Sequence, residues 1–324
     1  MIPVYRGLRS LPAGFGPSIA AIGNFDGVHL GHRQILNAVV DEARTRGMKG
    51  VAITFDPHPE QFLRPGRAPG LLTPMDHRVR LLAATGVDAI VILLFDEALA
   101  RLTARQFVEW VLGDALGIAG LHEGGNFRFG HRAEAGVQEL ARFGEECGFR
   151  VSVHPSVCVH GLEVSSSAIR ALVAAGDMRR ARWMLGRPFA ISSTQKRDRG
   201  VGARLLVPTV NLAAYNGLVP AHGVYVTRLH IEQGGGVQPG SSPTRTFQAV
   251  TNVGNRPTFA GAGFSIETHI LNFQPVDLDE STPLELEFLL HLRGEQKFPT
   301  PEALKAQILA DVKKAQRYFR RAGP

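Results

Sequence analysis

Short apolar runs alternate with helix-like patterns over residues 18–185. SIAAIG reads as a buried strand, and the segment after it repeats apolar residues at a 3.6-residue spacing: Ile35, Leu36, Val39, Val40 and Ala43. GVAITF and AIVILLF repeat the strand pattern, and helices are predicted over residues 76–84 and 104–112, with Gly86 and Gly113 where they should stop. This alternation predicts an α/β domain with a parallel sheet and flanking helices.

The pattern changes beyond residue 186. GVYVTRLHI, FQAVTNV, FSIETHILNF and LELEFLLHLR are β-rich and separated by Gly, Pro, Asn and Asp, which predicts an antiparallel, barrel-like domain. Residues 234–244, GGGVQPGSSPT, are predicted to be a flexible loop. A final helix should start with Thr300 as N-cap and Pro301 in its first turn. Its buried face should contain Leu304, Ile308, Val312 and Ala315. We expect two domains, residues 1–186 and 187–324.

Composition narrows the class of protein. With 44% hydrophobic and 20% charged residues in 324, the chain is an ordinary globular one, and disordered, collagen-like and disulfide-scaffold proteins are excluded. We find no apolar run that suits a signal peptide or a membrane span. The sequence has only two cysteines, Cys147 and Cys158, so it needs no disulfide framework, although one bridge between them is possible. Few cysteines favour a reducing compartment, and we expect a cytoplasmic location. A net charge of +7 favours polyanionic partners in general.

The segment GNFDGVHLGH connects the first predicted strand to the first helix. A helix N-terminus at the carboxyl edge of a parallel sheet presents N–H groups to phosphates. His29 and His32 can donate hydrogen bonds to phosphate oxygens there, and Gly23, Gly27 and Gly31 permit a close backbone approach. The alternatives are ordinary loop histidines or metal ligands, but two histidines with no nearby Cys are an incomplete zinc set.

A second anion-binding pattern lies at Ser165, Ser166 and Ser167. These serines precede a helix predicted over residues 168–175, and Arg170 follows them. Hydroxyl groups and a guanidinium at a helix N-terminus suit anionic oxygen. Plain helix capping is the competing interpretation.

The C-terminal half contains a candidate phosphotransfer site. A period of two predicts Glu267, His269 and Leu271 on one face of a strand, with Thr268, Ile270 and Asn272 on the other. A strand carboxylate suits a general base for an alcohol that attacks phosphate. Pro208, Thr209 and Asn211 supply a rigid turn with hydroxyl and carbonyl oxygens, which suit Mg²⁺.

Several motifs together resemble one enzyme family. IGNFDGVHLGHRQIL, TFDPHPEQFL, LLTPMDHRVRLL, GGNFRFGHRAEAG and VSSSAIRALVAAGDMRRARWMLGRPF are similar, in this order, to the nucleotidyltransferase module of prokaryotic bifunctional riboflavin kinase/FAD synthetases. GVYVT, AVTNVGNRPTF and LRGEQKFPTPEALKAQILADV resemble the riboflavin kinase domain of that family. The resemblance implies a Rossmann-like FMN adenylyltransferase domain followed by an antiparallel β-barrel kinase domain with a C-terminal helix. It implies ATP- and Mg²⁺-dependent conversion of riboflavin to FMN, and adenylyl transfer from ATP to FMN, giving FAD and pyrophosphate.

The resemblance also implies roles for individual residues in the adenylyltransferase. Its ATP site would comprise Gly23, Asn24, Phe25, Asp26, His29, Gly31, His32, Ser165, Ser166, Ser167 and Arg170. His29 and His32 would act on the ATP phosphates as catalytic groups, and Asn24 and Asp26 would lie in the loop that holds nucleotide and Mg²⁺.

The flavin site implied by the resemblance contains His58, Asn126, Phe127 and Arg128. His58 lies between two prolines, so a purely structural turn is the alternative for it. Core packing is the alternative for Phe127.

In the kinase, the resemblance assigns Glu267 to activation of the ribityl 5′-hydroxyl, and Thr209 and Asn211 to Mg²⁺ and the ATP phosphates. Gly200, Gly202 and Pro208 complete the implied ATP site. The family has glycine where this chain has Leu206, Ser193 and Asp198, so the loop over the phosphates has fewer glycines. These departures leave an FAD synthetase with a kinase domain that only binds flavin as an alternative.

Two further alternatives come from other classes. A basic nucleic-acid-binding protein is suggested by Arg179, Arg180, Arg182, Arg187, Lys313, Lys314, Arg317, Arg320 and Arg321. These residues lack the interleaved aromatic side chains of single-strand binders, apart from Trp183. A cytidylyltransferase or a pantetheine-phosphate adenylyltransferase would not account for the C-terminal domain. We expect small-molecule substrates, no nucleic acid, no membrane, and a monomer or transient homo-oligomer.

Overall fold

The computed structural model describes residues 2–196, 209–232, 244–258, 261–272 and 278–322. The chain divides into two compact units, Met1–Ala168 and Ile169–Pro324. We predict a boundary between the two functional domains at residues 186 and 187. This division by function differs from the division into compact units, and it stays a prediction. None of the helices in the described ranges is long and apolar enough to cross a membrane.

The first unit is built on a six-stranded parallel sheet. Its strands are, in chain order, β1 (Val4–Arg6), β2 (Ser18–Ile22), β3 (Lys49–Asp56), β4 (Ala89–Leu94), β5 (Ile118–Gly124) and β8 (Arg150–His154). They pair in the order β1-β4-β3-β2-β5-β8. All five residues of β2 are buried, because both faces of the sheet are covered.

Helices cover both faces of this sheet. They are α1 (Leu30–Arg46), α2 (Pro59–Leu63), α3 (Met75–Ala83), α4 (Glu97–Ala100), α5 (Ala104–Gln106) with its π-helical continuation Phe107–Ala115, and α6 (Val137–Glu146). Short pieces complete the unit: the 3₁₀ turns Leu8–Ser10 and His131–Ala133, and strands β6 (Arg128–Phe129), β7 (Ala135–Gly136), β9 (Cys158–Val159) and β10 (Leu162–Glu163). One apolar cluster packs α1 and α3 on one face, and a second packs the π-helical segment and α6 on the other. The predicted α/β fold is therefore confirmed.

One predicted helix end is wrong. The π-helical segment passes through Gly113 and continues to Ala115, where Leu116 N–H donates to Val111 O at 3.2 Å, five residues back. The turn after it uses Gly117, whose φ of +55° glycine adopts without a Cβ clash. The helix predicted over residues 76–84 is confirmed within one residue.

The strand order creates a crevice at the carboxyl edge of the sheet. From β2 the chain passes through α1 to β3 on one side, whereas the later strand β5 pairs with β2 on the other side. Neighbouring strands whose connections run in opposite directions separate at their carboxyl ends, and open α/β sheets bind ligands at that point. The loops that follow β2 and β5 are thus the candidate walls of a site.

The second unit contains a six-stranded antiparallel sheet. The helix α7 (Ser166–Ala174) continues into it from the first unit, and α8 (Met178–Leu185) packs on β11 and β16. The strands are β11 (Phe189–Thr194), β12 (Thr209–Asn211), β13 (Gly223–Glu232), β14 (Thr244–Thr258), β15 (Gly261–Ile270) and β16 (Pro283–Arg293). They pair in the order β11-β16-β13-β14-β15-β12, and the helix α9 (Pro301–Ala322) follows. The predicted loop over residues 234–244 lies outside the described residues except for Thr244.

This sheet curls into a half-barrel, which confirms the predicted antiparallel barrel-like domain. Its outer strands approach each other where Lys196 N–H donates to Asn211 O at 2.8 Å and Ala213 N–H donates to Thr194 O at 2.9 Å. Inside, the hydroxyls of Thr227, Thr251 and Thr268 form a row across β13, β14 and β15, with Oγ1–Oγ1 distances of 2.7 and 3.0 Å. These buried hydroxyls satisfy one another, so the interior accommodates them without the cost of an unpaired polar group.

The start of α9 agrees with its prediction, since Ala303 N–H donates to Thr300 Oγ1 at 3.2 Å. Its buried face agrees only in part. Ala315 is buried, but Leu304 and Ile308 are each 39% exposed. Contact with the sheet instead begins at the buried Asp311, which accepts from Arg293 Nε at 2.9 Å. The predicted apolar stripe is therefore present along α9, but only the second half of the helix packs on the core of this unit.

Glu123, at the end of β5, is 3% exposed. Its Oε1 accepts the Ile22 N–H at 2.7 Å, one residue beyond Ala21 and His122, the last paired residues of β2 and β5. The side chain thus satisfies a backbone donor where the strands separate. Burial raises the pKa of Glu123 well above its usual value, and its backbone hydrogen bonds to Ile22 and Gly124 oppose this only in part.

We predict that Glu123→Gln becomes progressively more stable than the wild type as pH rises from about 4 to about 7. The folded protein retains a proton on Glu123 that the unfolded chain releases above about pH 4.3. Wild-type stability therefore falls with rising pH until the folded pKa is reached, by roughly 1.4 kcal/mol per pH unit. Glutamine retains the acceptor and carries no charge at any of these pH values.

Urea denaturation of both proteins at several pH values measures this difference. Glu139→Gln is a control with the opposite sign, because the hydrogen bond from Gly136 N–H lowers the pKa of the exposed Glu139. A stability difference between Glu123→Gln and the wild type that is the same at both ends of the pH range contradicts the prediction.

Candidate functional site

The loop that leaves β2 has an unusual backbone. Phe25, Gly27 and Val28 have φ angles of +45°, +89° and +37°. Glycine adopts such angles readily, but for Phe and for β-branched Val they are strained. Strain of this kind persists only where surrounding contacts hold the backbone in place, and it is concentrated at ligand-binding sites.

Asp26 supplies those contacts. Its carboxylate is buried and accepts hydrogen bonds from Leu72 N–H at 3.0 Å, from Thr73 N–H at 2.9 Å and from Thr73 Oγ1 at 3.2 Å. Arg78 Nη2 lies 3.7 Å from it, and both side chains are only 1% exposed. The Gly27 N–H donates to Thr73 Oγ1 at 2.9 Å. The carboxylate therefore ties the loop to the segment before and within α3.

The two histidines lie where α1 begins. His29 is the N-cap residue, and its Nδ1 accepts the His32 N–H at 3.3 Å, so the ring proton of neutral His29 is on Nε2. The two rings are stacked with centroids 3.6 Å apart, and the rings of Phe25 and His32 are nearly perpendicular, with centroids 5.2 Å apart. A Cβ on Gly31 would lie 3.2 Å from His29 Cε1, so this position favours glycine. The loop thus fixes both imidazoles at a helix N-terminus.

The serine motif reaches the same place. Ser166 Oγ donates to the carbonyl oxygen of Asp26 at 2.8 Å, across 140 residues of sequence. Ser165 Oγ accepts the Ala168 N–H at 3.2 Å, which supports the capping interpretation for this serine. Ser167 is exposed, and Arg170 follows in α7 beyond the end of the first unit. Two sequence motifs predicted to bind phosphate are therefore neighbours in the folded chain.

The segment after β5 forms the other side of the crevice. Asn126 and Arg128 are exposed, and Arg128 Nη2 donates to Ala133 O at 2.8 Å. The rings of Phe127 and Phe129 stack with centroids 5.6 Å apart on the core of the unit. This geometry supports the packing alternative for Phe127 and leaves the polar groups of Asn126 and Arg128 at the surface.

His58 is placed as a helix cap. It is buried, its Nδ1 accepts the Glu60 N–H at 3.2 Å, and its own N–H donates to Gln61 Oε1 at 3.3 Å. These bonds support the alternative that His58 is part of a structural turn, in which its Nδ1 atom caps α2. A flavin-binding role for the ring stays a prediction.

Sequence reasoning missed Thr73 and Arg78. Both lie in LLTPMDHRVRLL, but no role was assigned to them there. The available signal was Asp26, because a carboxylate between two apolar residues of a tight loop needs donors when it is buried.

In the second unit, strand register assembles the predicted kinase residues. On β15, Glu267 pairs with Asn211 of β12 on one side and with Asn252 of β14 on the other. Thr209 pairs with His269 in the same ladder. Because directly opposite residues of an antiparallel pair share a face, Glu267 and the two asparagines lie in one row across three strands.

The predicted faces of β15 are correct within the strand. Ile266, Thr268 and Ile270 are buried, and Glu267 and His269 are half-buried on the other face. Leu271 is also placed as predicted, since it belongs to the apolar cluster of Val224, Val226 and Val250, which lie on the same face as Glu267 and His269. The strand ends at Ile270, and Asn272, with a φ of +53°, lies in the turn beyond it.

Part of the predicted ATP loop can be placed. Ser193, predicted in that loop, lies within β11, where its Oγ donates to Ala213 O at 3.3 Å. The prediction that Ser193 belongs to the loop over the phosphates is therefore wrong, because Ser193 pairs with Leu284 of β16 within the sheet. Asp198, Gly200, Gly202, Leu206 and Pro208 lie outside the described residues.

Known proteins resemble this chain along nearly all of its length. A bifunctional riboflavin kinase/FMN adenylyltransferase of Pseudomonas fluorescens is 36% identical over 312 residues, covering 96% of each chain. The corresponding protein of Escherichia coli K12 is 33% identical over 301 residues, covering 93% of this chain and 92% of that protein. A solved structure titled as a macrolide-efflux protein from Streptococcus pneumoniae matches with a TM-score of 0.84 and 24% identity, over 97% of this chain and 99% of its own, which shows the fold alone.

The two halves of the chain also match separate family models. The model described as FAD synthetase matches residues 13–168, which contain His29, His32 and the hydroxyl groups of Ser165 and Ser166. The model described as riboflavin kinase matches residues 185–319, which hold the strand row around Glu267. With both models matched in order and two relatives above 30% identity, this chain belongs to the bifunctional riboflavin kinase/FMN adenylyltransferase family.

Proposed function

We propose that this chain phosphorylates riboflavin to FMN in residues 187–324 and adenylylates FMN to FAD in residues 1–186, with ATP as co-substrate for both steps. The observation that carries the second step is the stacked pair of His29 and His32 at the N-terminus of α1. For the first step, support comes from the row that joins Glu267 to Asn211. Membership of the family supports both activities.

In the adenylyltransferase, the triphosphate of ATP would lie against the first turn of α1. An oxygen of the FMN phosphate attacks the α-phosphorus, a new P–O bond forms, and the bond to pyrophosphate breaks. His29 donates from Nε2, since its Nδ1 accepts the His32 N–H. Donors fixed before the reaction stabilise the charge that develops on the phosphate oxygens without further rearrangement. Ser166 and Asp26 contribute by holding the loop in shape.

In the kinase, Glu267 would accept the proton of the ribityl 5′-hydroxyl as its oxygen attacks the γ-phosphorus and ADP leaves. A carboxylate on a rigid strand is already positioned for this proton transfer. Asn211 lies directly opposite on β12 and can orient a phosphate oxygen. FMN is the product of this reaction and the acceptor in the next.

The oxygen donors of the second unit fit Mg²⁺. Thr209 and Asn211 present a hydroxyl and a carbonyl on the strand beside the Glu267 carboxylate, and hard oxygen ligands of this kind suit the ion. These two residues would hold it, and it would neutralise charge on the ATP phosphates. In the first unit, the Asp26 carboxylate is engaged with Leu72, Thr73 and Arg78, so we propose that Asp26 anchors the loop and is not a metal ligand.

We further propose that the enzyme works in the cytoplasm as a monomer or transient homo-oligomer, without nucleic acid. Both cysteines, Cys147 and Cys158, are free and exposed, which is typical of proteins in a reducing compartment. Some of the basic surface has local partners: Arg180 pairs with Asp177, and Arg179 stacks on Trp183.

The direct test of the two activities is incubation with ATP, Mg²⁺ and either riboflavin or FMN, followed by chromatographic separation of the flavins. We expect FMN and FAD from riboflavin, and FAD from FMN. FAD from FMN with no FMN from riboflavin would leave only the synthetase half. No flavin product from either substrate would contradict the proposal.

We predict that His29→Ala lowers the rate of FAD formation from FMN by about 100- to 1,000-fold, the usual effect of removing one transition-state donor. FMN formation from riboflavin should be unchanged, and it serves as the control for folding within the same protein. Loss of both activities in a variant that remains folded would contradict the separation of the two sites.

We predict the reverse for Glu267→Gln, which removes the proton acceptor and retains the size of the side chain. FMN formation should fall by about 100- to 10,000-fold, while FAD formation from added FMN should continue. The rate of FMN formation in the wild type and the variant, measured at saturating riboflavin, checks this. An unchanged rate would remove Glu267 from the mechanism.

We predict that Asp26→Asn lowers the melting temperature and FAD formation together, because it removes the charge that the buried Arg78 faces. Raising the Mg²⁺ concentration should not restore the lost activity, since the proposed role is to anchor the loop. Recovery of the wild-type rate at high Mg²⁺ would instead identify Asp26 as a metal ligand.

A further inference from the structure

A row of paired residues crosses one face of the antiparallel sheet. From β16 to β12 the row contains, in order, Arg293, Val224, Asn252, Glu267 and Asn211. Directly opposite residues of antiparallel strands share a face, so these five residues lie on one side of the sheet. Asn252 is half-buried, and its carboxamide forms no hydrogen bond with any residue in the described ranges. This polar group beside Glu267 therefore needs an explanation.

The row is closed at one end by α9. Val224 is 5% exposed and packs in one apolar cluster with Phe319 of that helix. Arg293, the last residue of the row, donates from Nε to Asp311 of α9 at 2.9 Å. The polar part of the row that a substrate can contact therefore begins with the residue after Val224, which is Asn252.

A glycine keeps the space next to Asn252 open. Gly254 lies two residues further along β14, on the same face. A Cβ on Gly254 would lie 2.7 Å from Glu295 Oε1 and 3.5 Å from Asn252 Nδ2. The side chain of Glu295 is 48% exposed, and its Oε2 lies 4.0 Å from His222 Nδ1. The Asn252 carboxamide thus borders a polar space that contains an exposed carboxylate.

The geometry of the proposed kinase step determines on which side of Glu267 the ribityl chain lies. That step places the ATP phosphates beside Thr209 and Asn211 on β12, and the 5′-hydroxyl at Glu267. The attacking and leaving oxygens are roughly in line at phosphorus, so the carbon atom of the attacking hydroxyl points away from the phosphate. The chain therefore extends from Glu267 towards β14, where Asn252 is the directly opposite residue. Neighbouring strands are about 4.8 Å apart, a distance that a few carbon atoms of the chain span.

We propose that Asn252 binds secondary hydroxyl groups of the ribityl chain and so selects flavins with a polyhydroxylated side chain. This inference rests on the proposed phosphorylation of riboflavin. A carboxamide both donates and accepts hydrogen bonds, as each hydroxyl group does, and the Glu295 carboxylate is a further acceptor nearby. A site built to bind a hydroxyl group discriminates against analogues that lack it, because its own polar groups are then left unpaired.

The first test compares riboflavin with an analogue that has a 5-hydroxypentyl group in place of the ribityl group. The analogue retains the hydroxyl that is phosphorylated and lacks the three secondary ones. The wild type should prefer riboflavin in kcat/KM. Asn252→Ala should lose about tenfold of this preference, the equivalent of one hydrogen bond of about 1.4 kcal/mol, with an unchanged KM for ATP. Asn252→Val should behave in the same way, and valine favours a strand, so this variant retains the sheet.

The matched control is Gln248→Ala, which removes another carboxamide from the same strand and face. Gln248 is exposed and lies four residues from Asn252, about 13 Å along the strand. This variant should retain the wild-type preference. An equal preference for riboflavin in the wild type and in both Asn252 variants would overturn the proposal. A rise in the KM for ATP with an unchanged preference would place Asn252 at the nucleotide, which also overturns it.

The second test measures binding without turnover, from the change in flavin fluorescence when riboflavin or the analogue is added to the full chain. Asn252→Ala should bind riboflavin about tenfold more weakly than the wild type and bind the analogue equally well. A wild type that binds the two flavins with the same Kd would overturn the proposal. No formation of FMN by the wild type would instead contradict the proposed function, and the binding comparison would still decide the role of Asn252.

Discussion

The proposed adenylyltransferase site depends on one buried carboxylate. The loop after β2 holds two side chain-bearing residues, Phe25 and Val28, at positive φ, which costs on the order of 1–3 kcal/mol each. Asp26 offsets this by accepting three hydrogen bonds from Leu72 and Thr73 beside the guanidinium of Arg78. Since hydrogen bonds to a charged group contribute about 1.5–3 kcal/mol each, the network is sufficient to hold the strained backbone. The position of the histidine pair, and the contact with Ser166, follow from it.

The same unit places ionisable groups on both faces of β5 at the point where β2 and β5 separate. Glu123 satisfies the Ile22 N–H on one side, and His122 joins Glu42 and His154 on the other. The two neighbours serve different purposes. Glu123, whose pKa is raised by burial, completes the backbone hydrogen bonds of β2, whereas His122 lies between the Glu42 carboxylate and the His154 imidazole.

The proposed kinase site is built mainly by strand pairing. Among the described residues, Glu267, Asn211 and Asn252 are brought together by the register of β12, β14 and β15. The curled sheet buries Thr268 in its interior and turns Glu267 to the opposite face. A register shift of one residue would exchange these two, burying the carboxylate and exposing the threonine. The hydroxyl row of Thr227, Thr251 and Thr268 opposes such a shift, because it would leave buried hydroxyls unpaired.

The sequence by itself determined the local elements, the order of the two halves and the family. Apolar periodicity and glycine positions act over a few residues, so SIAAIG, α1 and the faces of β15 could be predicted correctly. The motif around His29 also predicted a phosphate site at the first helix N-terminus, and this stays a prediction. Tertiary structure decided what long-range contacts alone can specify. It directed the Asp26 carboxylate to Thr73, brought Ser166 next to Asp26, left Leu304 and Ile308 exposed, and aligned Glu42, His122 and His154. The physical reason is that burial and hydrogen-bond partners depend on segments far apart in the chain, which local patterns do not encode.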